Sequence, residues 1–245
     1  MENAQLISLS RQIALQRQMD VVANNLANIN TTGFKGETIL FEDYLMPGAA
    51  DEAFLDGDRD LHFVQDWGTM HNMESGGIQQ TGNQLDVALE GTGFLVVQGP
   101  NGEAYTKNGS LQIDATGTLV DIGGNPVLSD LGPITFEPSE TSITIGKNGA
   151  IFTNEGAKGH LRLAEFANVG ELQKAGDNLF TGTNPQPAVA TTVVQGAIEH
   201  SNVTGVTEIA TMIRVQRAYQ TLATIVQQQE DVRRTAINRL GDLNA

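Results

Sequence analysis

Two short stretches of the sequence have residue types that could bind a phosphate or a metal ion. The first, "GTGF" at residues 91–94, has the glycine spacing of a dinucleotide-binding loop. Such a loop needs a third glycine and a helix behind it to hold the pyrophosphate. Here Val96 occupies the third glycine position and an apolar, strand-like run follows, so we expect no nucleotide site.

The second stretch, "DGDRDL" at residues 56–61, has carboxylates at alternate positions, like the start of a calcium-binding loop. Leu61 stands where that loop needs glycine and Trp67 where it needs glutamate, so a solvated acidic loop is expected instead. The histidines lack the paired spacing of zinc ligands: His62, His71, His160 and His200. The chain also has no cysteine and no Gly-x-Ser-x-Gly elbow. We therefore predict no catalytic, cofactor-binding or metal-binding residues, and a protein that is not an enzyme.

The remaining polar feature is an asparagine cluster within "NNLANINTTGFKGE", residues 24–37. Asparagine is unfavourable inside a helix because its side chain competes for backbone hydrogen bonds. Asn30 and Gly33 suit the end of a helix. Amides buried between helices can also fix their register at a cost in stability. We therefore expect such a role for Asn24, Asn25 and Asn28, with Gly33 and Phe34 turning the chain outward.

Glycine and proline divide the chain into three zones. Residues 1–32 contain neither, and residues 206–245 contain only Gly241. The middle holds all seven prolines and 26 of the 27 glycines, so the chain is expected to run helix, glycine-rich middle, helix.

Each terminal zone has an apolar seam with the alternating three- and four-residue spacing of a coiled coil. The seams are Leu15, Met19, Val22, Leu26 and Ile29, and Met212, Val215, Tyr219, Leu222 and Val226. Other apolar residues lie off these lines: Leu6, Leu9, Ile13, Ile209, Ile213, Ile225, Val232, Ile237 and Leu240. A helix with apolar surface on more than one side is expected to meet several neighbours.

The middle zone has the pattern of antiparallel β-structure, mainly over residues 85–170. "GFLVVQ" at 93–98 predicts a buried strand, and residues such as Ile143 and Ile145 alternate with polar ones. Three Asn-Gly pairs predict hairpin turns: Asn101-Gly102, Asn108-Gly109 and Asn148-Gly149. Residues 33–80 show few clear periods and are expected to be extended or loop-like.

The net charge of −15 is concentrated in this middle zone. Residues 1–30 are balanced and residues 204–245 carry +1, which leaves −16 between them. Nucleic acid is therefore not an expected partner, because its binding usually needs a basic surface. No apolar run is long enough to span a membrane, and the N-terminus lacks the features of a cleaved signal peptide.

Four blocks of sequence, in order, resemble those of bacterial flagellar rod and hook proteins. They are "ANNLANINTTGFK" (23–35), "SGGIQQTGNQLDVALEGTGFLVV" (75–97), "YTKNGSLQIDATGTLVDIGGNPVL" (105–128) and "GAIEHSNVTGVTEIATMIRVQRAYQ" (196–220). Within this family, the chain length, the first helix and the charged C-terminal segment favour the proximal rod type over the distal rod type. The hook protein is much longer.

The resemblance implies a structural subunit of the basal-body rod, the shaft that crosses the periplasm and transmits torque. It also implies export by the flagellar type III apparatus without a cleaved signal peptide, and assembly with itself and other rod proteins. Two other hypotheses remain open: a distal rod protein, or a secreted β-domain binding module such as an adhesin. A periplasmic enzyme would need a cluster of polar groups that the sequence does not offer.

We therefore predict an α+β fold in which the terminal helices pack as a coiled-coil-like pair beside a central antiparallel β-rich domain. No cofactor is expected. The expected parts are an N-terminal helix at 1–32, an extended linker at 33–80, a β-rich outer domain at 81–200 and a C-terminal helix at 201–245. The resemblance implies that the two helices belong to the inner tube, the core of the rod. The expected assembly interface combines the two seams with Asn24, Asn25, Asn28, Gly33, Phe34 and Arg217.

Overall fold

Two long helices and nineteen short strands make up the computed structural model, which describes the backbone of residues 2–46 and 61–242 and the side chains of residues 6–42 and 68–239. Helix α1 covers Glu2–Ala27 and helix α2 covers Gly205–Asp242. Glu208 in the first turn of α2 and Arg239 in its last turn suit the helix dipole. The two helices pack against each other, and the α+β fold predicted from the sequence is confirmed.

The described residues fall into two compact units, each built from separate parts of the chain. The helical unit combines Met1–Leu26, Glu37–Met70 and Thr204–Ala245. The β unit combines Ala27–Gly36 with His71–Val203. The acidic stretch at residues 56–60 lies outside the described residues.

The strands are numbered in chain order. They are β1 Glu37–Met46, β2 Leu61–His71, β3 Ile78–Gln80, β4 Val87–Glu90, β5 Phe94–Gly99, β6 Gly102–Thr106, β7 Leu111–Ile113, β8 Leu119–Asp121, β9 Leu128–Ser129, β10 Gly132–Pro133, β11 Thr144–Ile145, β12 Ala150–Thr153, β13 Gly156–His160, β14 Leu163–Glu165, β15 Gln173–Gly176, β16 Leu179–Thr181, β17 Gln186–Pro187, β18 Thr192–Gln195 and β19 Ala197–Glu199.

The largest sheet of the β unit has six strands in the order β15-β16-β6-β5-β14-β17. Strand β5 is buried on both faces, as its continuous apolar sequence predicts. Leu95 and Val97 point into one apolar cluster, whereas Phe94 and Val96 point into a second that contains Tyr105. This split follows from the two-residue period of a strand.

The last two strands of the β unit pair with its first two strands in smaller sheets. Strand β18 pairs antiparallel with β4, and β19 pairs antiparallel with β3. Val193 and Ala197 are buried in these strands. In the helical unit, β1 and β2 form a two-stranded sheet, a pairing that no periodic pattern in the sequence predicted.

Two of the three predicted Asn-Gly turns form hairpins, and the third does not. Asn101-Gly102 lies at the β5–β6 turn and Asn148-Gly149 at the β11–β12 turn. Asn108-Gly109 instead lies in a buried crossing between β6 and β7, so the prediction of a hairpin there was wrong. Glycine is needed at 109 for a different reason, since an added Cβ would lie 1.6 Å from the carbonyl oxygen of Val87.

We predict that Gly109→Ala destabilises the β unit by about 3 kcal/mol, because the methyl group overlaps backbone that cannot move freely. The matched control is Gly77→Ala, where an added Cβ meets no atom within 4 Å. Thermal denaturation followed by near-ultraviolet circular dichroism should show a lower melting temperature for the first variant alone. Equal melting temperatures would contradict the close packing described at Gly109.

Candidate functional site

The two seams predicted from the sequence are the covered sides of the helix pair, except for Ile29, which lies beyond the end of α1 at Ala27. Val22 and Val215 are buried, with 5% and 4% of their surface exposed. The other predicted seam residues are half-buried: Leu15, Met19, Leu26, Ile29, Met212, Tyr219, Leu222 and Val226. Packing within one chain therefore accounts for both seams.

The apolar residues off the seams are exposed in the single chain, apart from Leu240, whose side chain lies outside the described residues. On α1 they form a stripe at three- and four-residue spacing, Leu6, Leu9 and Ile13, whose exposed fractions are 53%, 52% and 59%. We call these three residues the α1 stripe. Helix α2 exposes a similar set: Val206, Ile209, Ile213, Ile225, Val232 and Ile237. Large apolar surface left in water marks a surface that binds another molecule.

A groove of about 750 Å³ opens between α1, α2 and β1. Leu15 and Leu222 from the two seams and Phe41 from β1 form part of its apolar lining. Arg11 and Glu42 add one charge of each sign. The groove belongs entirely to the helical unit.

Asn25 holds the start of β1 against the end of α1. Its side chain is 3% exposed, and its Nδ2 donates to the carbonyl oxygen of Glu37 at 2.9 Å. The N–H of Glu37 donates to Asn25 Oδ1, also at 2.9 Å. The Asn25 side chain thus bonds both backbone polar groups of Glu37, as a neighbouring strand would. The sequence had suggested an amide between helices, and the structure corrects that role for Asn25.

The other predicted residues of the cluster have more local surroundings. Asn24 is exposed, and so is Arg217 on α2. Asn28 is half-buried in the turn that follows α1, where its carbonyl oxygen and Oδ1 accept from the N–H and hydroxyl of Thr31 at 3.1 Å each. The turn supports the capping role expected from the sequence.

Gly33 and Phe34 are buried in the β unit. Gly33 has a φ of 65°, and an added Cβ would lie 2.4 Å from both the carbonyl carbon and the oxygen of Lys107. No other residue type fits this close approach. The Phe34 ring is 2% exposed, and Lys174 Nζ lies 4.7 Å from its centroid. These two residues therefore anchor the chain where it enters the β unit.

Sequence reasoning missed the residue that follows them. Lys35 is 1% exposed, and its Nζ lies 2.7 Å from Oε1 of Glu199, which is equally buried. Both belong to the sequence blocks that carry the family resemblance, but a lysine in a polar turn gives no sign that it is buried. The useful signal was the lone acidic residue, Glu199, inside the apolar strand β19.

A second buried lysine lies near this pair. Lys107 is 3% exposed, and its Nζ donates to the carbonyl oxygen of Gly91 at 2.6 Å. Burial lowers the pKa of Lys107 to about 8, and Lys35 lowers it too, while Glu199 and Glu165 act in the opposite direction.

Neither a metal-binding cluster nor a membrane-spanning helix is found in the described ranges. Residues 2–46 and 61–242 contain no group of three or more side chains placed to hold a metal ion. None of the helices in these ranges is long and apolar enough to cross a membrane.

Three family profiles match the chain in order. A profile described as "Flagella basal body rod protein" matches residues 6–35. One described as "Flagellar hook protein FlgE/F/G D1 domain" matches residues 88–153, and one described as "Flagellar basal body rod FlgEFG protein C-terminal" matches residues 194–240. The matches cover both helices and the centre of the β unit.

Several full-length relatives are similar to the chain. The flagellar basal-body rod protein FlgF of Caulobacter vibrioides is 39% identical over 100% of both chains. FlgF of Mesorhizobium japonicum is 30% identical over 98% of this chain and 99% of its own length. The rod protein FlgG of Buchnera aphidicola subsp. Schizaphis graminum is 34% identical over 84% of this chain and 88% of its own length.

We predict that Asn25→Ala destabilises the helical unit by about 2 kcal/mol, because both polar backbone groups of Glu37 lose their partner. The control is Asn30→Ala, since Asn30 is exposed. Hydrogen exchange should show faster exchange of the Glu37 amide in the first variant and no change in the second. Unchanged exchange at Glu37 in Asn25→Ala would mean that this amide does not hold β1.

We also predict that stability depends on pH through Lys107. Below pH 8 the folded and unfolded chains both carry the proton, so this lysine adds no pH dependence. Between pH 8 and its ordinary value of 10.5, the unfolded chain binds more protons, so stability rises with pH.

Relative to Lys107→Met, the wild-type chain should therefore gain about 2 kcal/mol of stability between pH 7.5 and 10. Urea unfolding at a series of pH values measures this difference. Lys147→Met, which makes the same substitution at an exposed lysine, is the control. A stability difference between wild type and Lys107→Met that does not change with pH would contradict a lowered pKa for the buried Lys107.

Proposed function

The chain belongs to the family of bacterial flagellar basal-body rod proteins, and we propose that it is a structural subunit of the rod that polymerises through its terminal helices. The observation that carries this proposal is the division of each helix into a seam covered within the chain and apolar residues left in water. A packed monomer has no use for the second set, whereas a subunit inside a helical tube does.

The positions of the α1 stripe and the groove favour an open-ended assembly. At 3.6 residues per turn, Leu9 and Ile13 lie roughly 140° around α1 from the side that lines the groove with Ala14 and Gln18. A subunit that binds one neighbour with one side therefore keeps the other side free for the next. Contacts between unlike surfaces that do not close into a ring produce a helical filament.

The chain is best assigned to the FlgF type, the proximal rod protein. The FlgF relatives from Caulobacter vibrioides and Mesorhizobium japonicum align with 100% and 98% of this chain, against 84% for the FlgG relative. A FlgG-type distal rod subunit is the second candidate, supported by the 34% identity of that relative.

The family membership supports the remaining parts of the proposal. The subunit belongs to the basal-body rod within the periplasm, where the rod acts as the drive shaft that transmits torque. It reaches that place through the flagellar type III export apparatus, without a cleaved signal peptide. Its partners are copies of itself and other rod proteins rather than nucleic acid, and its role is mechanical rather than enzymatic.

We predict that the double substitution Leu9→Glu/Ile13→Glu leaves the monomer folded and stops rod assembly. More than half of each side chain is exposed, so the monomer loses little packing, but charges would enter the contact with the neighbouring subunit. The test is complementation of a deletion of this gene, with swimming and electron microscopy of isolated basal bodies as readouts. Truncated basal bodies and loss of swimming are expected.

The control is Leu131→Glu, which places one such charge on a 95% exposed leucine of the β unit. That strain should swim normally. Full-length rods in the double variant would contradict assembly through the α1 stripe. Normal swimming of the deletion strain itself would contradict the rod function and favour a binding module.

A further inference from the structure

The chain passes between its two units four times, after Leu26, Gly36, Met70 and Val203. A polypeptide link can rotate about its backbone bonds unless neighbouring groups hold it. The residues beside these crossings therefore decide how firmly each link is fixed within the β unit.

A buried ion pair connects two of the crossing segments with a third. Lys35 precedes the second crossing and Glu199 the fourth, and their charged atoms are 2.7 Å apart. Lys35 Nζ also donates to the carbonyl oxygen of Glu74, which follows the third crossing, at 2.7 Å. The N–H of Gly76 donates to Glu199 Oε1 at the same distance. Two charged side chains thus link three segments that are distant in sequence.

Asn202 joins the same three segments with neutral hydrogen bonds. Its Oδ1 accepts from the N–H of Gly36 at 2.9 Å, directly beside the second crossing. Its Nδ2 donates to the carbonyl oxygens of Asn72 at 2.8 Å and Glu74 at 3.0 Å, just after the third crossing. Asn202 itself lies two residues before the fourth crossing begins at Thr204.

We infer that Lys35, Glu199 and Asn202 form a clamp that fixes the positions at which three of the four crossings leave the β unit. The clamp is a positioning device, and its function is to keep these links from rotating. This inference concerns the single chain and holds whether or not the proposed assembly surface is correct. If the subunit transmits torque as proposed, such a clamp would limit the rotation of these links within each subunit.

The chemistry of the clamp favours a positioning role over a general stabilising one. A buried ion pair is costly to desolvate, and well-packed apolar residues of similar size are often as stabilising. Glu199 Oε2 has no hydrogen-bond partner among the described residues, so the pair is not arranged for maximal stability. Ionic and amide hydrogen bonds specify direction and distance, which apolar contacts do not.

Hydrogen exchange of the full-length chain tests the clamp. Two amides report on the crossings through bonds between backbone atoms alone: the N–H of Gly33 donates to the oxygen of Glu199, and that of Asn72 to the oxygen of Gly36. The N–H groups of Val96 and Leu119 report on the core. In Lys35→Met/Glu199→Leu, which removes both charges of the pair together, Gly33 and Asn72 should exchange roughly tenfold faster, with Val96 and Leu119 unchanged.

Asn202→Ala is the second variant, because it keeps the ion pair intact and decides the question if the double variant fails to fold. It should also accelerate exchange at Gly33 and Asn72, with Val96 and Leu119 unchanged. The control is Arg162→Met/Glu103→Leu, which removes a bidentate ion pair on the surface of the same unit and should change neither amide. Wild-type exchange at the crossings would overturn the inference. Equal acceleration at crossings and core would overturn it too, since the cluster would then stabilise the whole β unit.

Discussion

The ion pair between Lys35 and Glu199 joins residues 164 positions apart and closes the β unit from both ends of its sequence. The segment that follows α1 and the segment that precedes α2 must both be in place before this pair can form. Gly33 must reach the backbone of Lys107, and β19 must pair with β3. Because of this closure, the segments next to the two terminal helices are held at both ends of the β unit's sequence.

The helices divide their apolar residues between two tasks. Val22, Val215 and their neighbours along the seams hold the pair together within one chain. Leu9, Ile13 and the exposed residues of α2 remain available to other subunits. In a family of rod proteins, this division explains how one chain can be a packed monomer and also a building block. It also explains why the helices are apolar on more than one side.

The sequence was sufficient to predict features that depend on local periodicity. The spacing of the seams, the buried strand around Leu95 and the end of α1 at the asparagine cluster all follow from neighbours along the chain. Contacts between distant segments could not be predicted in this way. Nothing near Lys35 shows that it pairs with Glu199, and nothing near Asn25 shows that its amide binds Glu37. The pair Asn108-Gly109 was wrongly predicted to be a hairpin turn. Glycine is required both in such turns and where the backbone passes close to another chain segment, as Gly109 does at Val87. The residues assigned to the assembly interface stay predictions, since contacts with neighbours depend on a second chain.

We propose that the α1 stripe, which is exposed in the single chain, becomes buried when subunits assemble. Since the chain has no cysteine, a single cysteine at Leu9 can be introduced and its reaction with a maleimide followed without background. The purified Leu9→Cys monomer should react readily, whereas the same residue in isolated basal bodies should be protected. A cysteine at Leu131, in contrast, should react at similar rates in both, and serves as the reference. Equal reactivity of Leu9→Cys before and after assembly would contradict the account.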